Sequence, residues 1–417
     1  MSHVRKPAES TVSSLSLSRR NFMAATGAAV ATFAVIKPSL VRGTAANSTL
    51  NLGVIGCGGR GIWIAKLFKA HGGYNVAGAY DYFQDRVDDM GNQLGVPEAN
   101  RFTGLKGYLK MLDKVDAVAI ISPPYFHPEQ AAAGVEAGKH VYLAKPIAVD
   151  VPGCQSIGDS GKKASGKKLA FLVDFQTRVD PFYMEALRRV HEEKALGDFT
   201  FGEATYHAGD PFAGKYQFWK DNEASAEGRL RAWGLDRVLS GDIITEQNIH
   251  TLDVMNWIMG VPPLWAVGTG GRKYRPVGTC YDTFSCLFQY PHNVGITFSS
   301  RQSEGYGTQE GIRNRMFGTQ GILETEYGGQ VLIRGKNFYR GGKSPGIYQE
   351  GAVANIKAFH ESITTGKFEN PTVEPSVRSN LITVLGRTAA YKNGMVTWDE
   401  MMKKNEKLEI DLKGLKA

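Results

Sequence analysis

The sequence predicts an α/β protein whose first half is a doubly wound parallel sheet, and three observations carry that reading. An apolar run, Leu50 to Ile55, enters a glycine-rich turn that opens a helix-like segment. Further uninterrupted apolar runs, Ala117 to Ile121 and His140 to Leu143, alternate with helical pattern, as strands buried on both faces do. With 417 residues, 42% hydrophobic and 22% charged, the chain is long enough for two cores and carries no bias towards disorder. The reading divides it into a leader, residues 1–46, a nucleotide-binding domain, residues 47–175, and a second domain, residues 176–417, whose end packs back on the first.

The leader has its own logic. It holds Arg5, Lys6, Arg19, Arg20, Lys37 and Arg42 against Glu9, so most of the formal charge of +8 lies there. The remaining charges are interspersed, which excludes the basic footprint of a nucleic-acid binder. Arg19 and Arg20 precede a modest apolar stretch, Phe22 to Ile36, and small residues from Gly43 to Ala46 offer a cleavage site. This is the pattern of a twin-arginine export signal, and it predicts a periplasmic or otherwise exported protein. The apolar stretch falls short of the roughly 20 residues that span a bilayer, so no stable membrane insertion is expected after processing. Twin-arginine export carries folded chains, and a cofactor is therefore expected to be tightly bound beforehand. The four cysteines, Cys57, Cys154, Cys280 and Cys286, have no C-x-x-C spacing and read as ordinary small residues.

After the first strand, Gly56-Cys57-Gly58-Gly59-Arg60-Gly61 matches G-x-G-x-x-G in the context the motif needs. Gly56 permits the turn, Gly58 and Gly59 let backbone amides approach a pyrophosphate beside Arg60, and Gly61 lets the helix lie close to the strand. The next strand, Asn75 to Tyr80, ends in Asp81, about 20 residues after the last glycine, where an acid meets a ribose hydroxyl. That carboxylate would repel a 2′-phosphate, so NAD is favoured over NADP. Ser122-Pro123-Pro124 ends the Ala117 strand, with a helix beginning near His127, and Lys145-Pro146 ends the His140 strand. Ser122, Pro123, His127 and Lys145 thus fall on the edge that carries the glycine turn and are expected to line the nicotinamide side. A proline cannot donate to a ladder, so Lys145 marks the strand's stop and projects into the crevice.

In the second half, Glu246, His250, Asp253 and Trp257 fall at helical spacing on one stripe, with Ile249, Leu252, Met255 and Met259 beside it. A buried core histidine or an acid-histidine metal site would also fit this pattern, although no further ligand group is obvious and no metal is expected. Arg178, after a strand from Leu169 to Asp174, would either bind substrate or form an interdomain salt bridge. Tyr281, Asp282 and Arg301 border alternating strands whose Phe284, Cys286, Phe288 and Tyr290 share a face. They would serve a sugar site or an oligomer interface.

The order of the glycine turn, "SPPYFHPE", "AKP", "FQTRVDP", "GDIITEQNIHTLD" and "VTWDEM" resembles the glucose-fructose oxidoreductase, inositol dehydrogenase and rhizopine-catabolism family (Gfo/Idh/MocA). The resemblance spans essentially all of the chain after the leader. It implies a Rossmann domain followed by an α/β domain with a large, mainly antiparallel sheet that often serves in oligomerisation. It also implies an NAD-dependent oxidoreductase acting on a sugar or cyclic polyol. Lys145 matches the family's catalytic lysine and His250 its catalytic histidine, while Glu246 stands where an aspartate is usual. Arg178, Asp253 and Tyr281 become substrate-binding candidates. One departure stands out: the usual Glu-Lys-Pro reads Ala144-Lys145-Pro146, and loss of that carboxylate would make Lys145 a better proton acceptor. The same parts would also serve glycoside cleavage through a keto intermediate without net redox, or binding without catalysis.

Overall fold

The computed structural model describes residues 49–306 and 311–417, and the predicted export signal lies outside them. Residues 48–417 form one compact unit. It is built on two sheets. The first holds β1 (Leu50–Ile55), β2 (Tyr74–Tyr80), β3 (Arg101–Phe102), β4 (Ala117–Ile120), β5 (His140–Ala144) and β6 (Phe171–Asp174). All six are parallel in the order β3-β2-β1-β4-β5-β6, as uninterrupted apolar runs separated by helices require. Connecting helices are α1 (Gly59–His71), α2 (Gln84–Leu94), α3 (Gly107–Leu112), α4 (His127–Glu136) and α5 (Val151–Gly166).

The strand order reverses between β1 and β4, and ligands bind open α/β sheets at such a point. Register brings the strand ends level there. Ile55 pairs with Ile120, Ile120 with Leu143, and Ala144 with Asp174. Gly56, Ser122, Lys145 and Asp174 therefore emerge along one edge.

After α6 (Pro181–His191) the chain enters the second sheet. Its strands are β7 (Phe199–Ala208), β8 (Trp265–Gly271), β9 (Thr283–Tyr290), β10 (Val294–Gln302), β11 (Gly311–Gly318), β12 (Gly321–Glu326), β13 (Gln330–Gly335), β14 (Tyr339–Lys343) and β15 (Met395–Thr397). The order is β14-β13-β12-β11-β7-β10-β9-β8-β15, antiparallel except for β7 beside β10. Phe284, Cys286, Phe288 and Tyr290 of β9 are all buried on one face, as their alternation predicts. Between β7 and β8 lies a helical excursion: α7 (Tyr216–Asn222), α8 (Ala226–Arg231), α9 (Arg237–Ser240), α10 (Ile243–Glu246) and α11 (Ile249–Met259).

The chain then returns to the first sheet. In α12 (Ile347–Thr365), Ala352, Ile356 and Phe359 join the core beneath α1, where Phe359 lies near Tyr74 and Tyr142. Helix α13 (Val373–Lys392) packs on the second sheet and α14 (Trp398–Lys404) follows β15. No described helix is long and apolar enough to cross a membrane.

Candidate active site

The glycine turn is shaped by contact. Gly56 has φ +100°, and a Cβ there would lie 2.7 Å from the Ile121 carbonyl. A Cβ on Gly61 would lie 1.8 Å from the Gly56 oxygen, so α1 reaches β1 only as glycine. Gly59, by contrast, has nothing within 4 Å of its Cβ position, and Gly58 has only an Arg86 nitrogen at 3.5 Å. The turn is thus open on its outer side. Gly58 caps α1 with no side-chain hydrogen bond and no acid lies in the first turn, which leaves the helix N-terminus available to an anion.

Two compartments flank this turn. Gly56, Asp81, Arg86, Pro123, Leu230 and Trp233 are among the walls of the first. Asp81 lies there, its two oxygens accepting the Cys57 and Phe83 amides at 2.8 and 3.1 Å. Burial nevertheless pushes its carboxyl up, against those bonds and nearby Arg86. The second compartment is a crevice of about 640 Å³. Lys145 enters from the end of β5, Glu246 from the end of α10 and His250 from the start of α11. Ser122 and Trp233 line both compartments.

Lys145 Nζ donates to the Glu246 carbonyl at 2.8 Å and lies 3.9 Å from its carboxylate. Burial lowers the lysine pKa; Glu246 opposes this and Arg60 adds to it. Lys145 thus keeps one acidic neighbour, Glu246, the residue that stands where an aspartate is usual, and its pKa is lowered chiefly by desolvation. His250 is held well below the usual histidine range by burial first, then by Lys145 and Arg60. Its Nδ1 is buried without a hydrogen-bond partner, and its ring lies 5.1 Å from Tyr327.

Two family models match the chain: one described as "Oxidoreductase family, NAD-binding Rossmann fold" over residues 50–171, and the GFO/IDH/MocA C-terminal domain over residues 184–324. The chain belongs to the GFO/IDH/MocA oxidoreductase family. A scyllo-inositol 2-dehydrogenase (NAD(+)) of Bacillus subtilis is 21% identical over 82% of this chain and 94% of its own. The solved scyllo-inositol dehydrogenase of Lactobacillus casei with NAD(H) and scyllo-inositol superposes with a TM-score of 0.64 at 22% identity. A levoglucosan dehydrogenase in complex with NADH and levoglucosan does so with 0.67 at 18%. In both structural matches, 84% of this chain and 99% of the other are covered.

Within this GFO/IDH/MocA chain the remaining candidates divide. Arg60 reaches past the glycine turn. Its guanidinium donates to Asp174 and to the Tyr348 hydroxyl, both at 2.8 Å, and lies 5.4 Å from the ring centres of Trp63 and Tyr348. It lines the crevice beside Gly59. His127 lies at the crevice, but its two ring nitrogens meet the Pro146 and Ser122 carbonyls at 2.8 and 2.7 Å. It ties two strand ends together and has no nitrogen left for a cofactor; burial pushes it down to about 4.

Three substrate-binding candidates do not reach the crevice. Asp253 is fully buried and takes a bidentate contact from Arg178, with the Ser379 hydroxyl donating at 2.6 Å. Arg178 also lies over Trp257, and its salt bridge to Asp253 runs within residues 176–417 and not between domains. The predicted single stripe is not one helix: Asn248 N–H bonds back to the Ile243 carbonyl and α11 begins afresh, so Glu246 and His250 belong to different helices and still meet at the crevice. His250 and Asp253 share the unbroken α11, and Asp253 is taken up by Arg178 and Ser379 instead. Tyr281 stacks on Tyr391 at 3.9 Å and is not among the residues that line the crevice.

Sequence reading missed Gln247, Tyr206, Phe212, Trp233, Tyr327 and Tyr348, which complete the crevice. Gln247 lies inside the quoted motif; it donates to the Glu246 carboxylate and accepts from the Tyr206 hydroxyl at 2.8 Å. Phe212 and Trp233 come from the excursion after β7 and meet edge to face. Tyr348 is 288 residues from the arginine it binds and has no local signal.

Proposed function

We propose that this oxidoreductase interconverts a secondary hydroxyl and a ketone on an uncharged sugar or cyclic polyol, with NAD held between the two compartments. The observation that carries this reading is the meeting of Lys145, Glu246 and His250 beside the open glycine turn. The open outer side of Gly58 and Gly59, the uncapped N-terminus of α1 and Asp81 fit a dinucleotide: the amides face its pyrophosphate and Asp81 its ribose. When bound, NAD supplies the acceptor for the hydride. His250, kept neutral, takes the hydroxyl proton. Lys145, fixed by the Glu246 carbonyl, steadies the negative charge that grows on that oxygen. Gln247 orients the Glu246 side chain.

The substrate is uncharged in this reading because the crevice cations have internal partners: Lys145 with Glu246, and Arg60 with Asp174. Tyr206, Phe212, Trp233 and Tyr327 offer ring faces for the apolar side of a pyranose or cyclitol. The relatives named for inositol and levoglucosan support that class. The test is a polyol and sugar library assayed with NAD and NADP, together with the mass of whatever nucleotide is released on denaturation. Release of no nucleotide, and no turnover of any library member by the NAD-loaded protein, would reject the reading. Export rests on Arg19 and Arg20: changing both to lysine should retain the protein in the cytoplasm.

A further inference from the structure

Away from the active-site crevice, a second cavity of about 290 Å³ lies where α13, α9 and the segment after α14 meet. Four cations line it, Arg237, Arg387, Lys392 and Lys404, against the single carboxylate of Glu406. Arg387 is the unusual one. It is only 7% exposed, and among the described residues its guanidinium donates to one acceptor, the Gly241 carbonyl at 2.7 Å. A buried guanidinium has five N–H donors in a planar fork, and leaving most of them without acceptors is costly. Burial lowers its pKa, with Arg237 adding to the effect and Asp242 opposing it.

Arg237 is not neutralised locally either; its guanidinium lies 4.6 Å from the centre of the Tyr391 ring. Lys392 donates to the Met395 carbonyl, and Lys404 pairs with Glu406 at 2.6 Å. Glu406 is thus the one anion at the rim of a basic cavity, and its carboxyl is held below the usual range by Lys404 first, with Arg387 and Arg237 contributing. Asp242 and Asp150 lie behind the wall, and both are already engaged. Asp242 accepts from the Tyr391 hydroxyl and from the Ile243 amide, and Asp150 from the Gly153 and Leu408 amides.

We propose that this cavity is a binding site for a small dianion, a phosphate or a phosphate monoester, held by Arg387, Arg237 and Lys404, with Glu406 as the group that yields to it. Bidentate arginine geometry suits the phosphate oxygens, and the buried guanidinium of Arg387 gives the cavity a fixed cationic wall. The occupant sits behind the Gly241-Asp242 corner from which α10 starts.

The test is calorimetric titration of the NAD-saturated full protein with inorganic phosphate and, separately, with glycerol phosphate, at constant ionic strength made up with chloride. Saturating NAD keeps the anion from the glycine turn. Saturable binding is expected, weakened about threefold or more in Arg237→Gln and in Lys404→Gln, and strengthened about threefold or more in Glu406→Gln, on the scale of one charge-assisted hydrogen bond. Tighter binding of the glycerol ester would identify an ester as the ligand, and equal binding would identify the free ion. No saturable heat with either ligand, or the same affinity in all three variants, would overturn the proposal. These side chains are at the cavity rim, so each variant is expected to keep the wild-type melting temperature, and Arg387 itself need not be touched.

Discussion

Replacing Lys145 by methionine keeps an unbranched side chain one atom shorter and deletes its charge. In the fold that charge lies 3.9 Å from the Glu246 carboxylate and donates to the Glu246 carbonyl at 2.8 Å. A unit pair at that separation interacts by about 4 kcal/mol at an effective dielectric constant near 20, a figure that desolvation of the lysine offsets in the resting enzyme. An alkoxide forming at hydrogen-bond distance from Nζ would feel an attraction of the same order. Part of it already exists for the neutral hydroxyl, so the differential is smaller. Loss of about 2.7 kcal/mol, a hundredfold in kcat, is the expected result, on the scale of removing a preorganised donor.

A second consequence is specific to this geometry. Lys145 is one of the two cations that depress His250, so Lys145→Met should raise the His250 pKa and move the acid limb of the kcat/KM profile to higher pH. The assay is NADH formation followed by absorbance from pH 4 to 9, with NAD affinity measured in parallel by fluorescence titration and expected to stay within about twofold of wild type. Near-normal turnover on the true substrate with NAD bound would refute the reasoning. So would a loss of activity accompanied by an equal loss of NAD affinity, since that would make Lys145 a cofactor-binding residue.

Three further outcomes follow from the same coordinates. Asp81→Ala should weaken NAD and narrow its advantage over NADP, because Arg86 in the same compartment then meets a 2′-phosphate without an opposing carboxylate; an unchanged NAD to NADP ratio of dissociation constants would remove Asp81 from the ribose. Ala144→Glu places a second carboxylate beside Lys145 and should raise the lysine pKa, shifting the basic limb of the rate profile upwards, with some loss of stability at this buried position; a profile unmoved in a folded variant argues that Lys145 ionisation does not limit turnover. Asp253→Asn should destabilise the fold by roughly 3 kcal/mol or more by leaving Arg178 without its buried partner, while KM stays near wild type at a temperature where the variant is folded; a large KM rise with an unchanged melting temperature would return Asp253 to the substrate site.

Local chemistry made the nucleotide-binding half readable. Its strands are continuous apolar runs, and its glycines are needed by contacts within a single strand-turn-helix unit, so Gly56 and Gly61 reveal themselves together and Asp81 about 20 residues after the second. Lys145 was legible for the same reason, as a cation before a proline at a strand end. The helix carrying Glu246 and His250 was legible in composition but not in phase. A one-residue slip at Gln247 and Asn248, beside Gly241, Asp242 at φ +75° and the bond back to Ile243, separates the helix of Glu246 from that of His250, while Arg178 and Ser379 hold Asp253 in the core. Periodicity assumes an unbroken helix, and a left-handed corner carried by an aspartate gives little warning of the break.

The amino-acid sequence by itself determined that this chain is an α/β protein of the Gfo/Idh/MocA kind with a dinucleotide turn, and it singled out a lysine and a histidine for the proposed chemistry on a hydroxyl. Tertiary structure alone decided which side chains share a crevice. Glu246 comes to Lys145 across 101 residues, Arg60 to Asp174 across 114 and Tyr348 to Arg60 across 288. Pairings of that range arise from how two sheets and a returning helix pack. No short window of sequence encodes a distance that only the closed core sets, which is why the approach of Glu246 to Lys145 leaves no trace in the Ala144-Lys145-Pro146 motif.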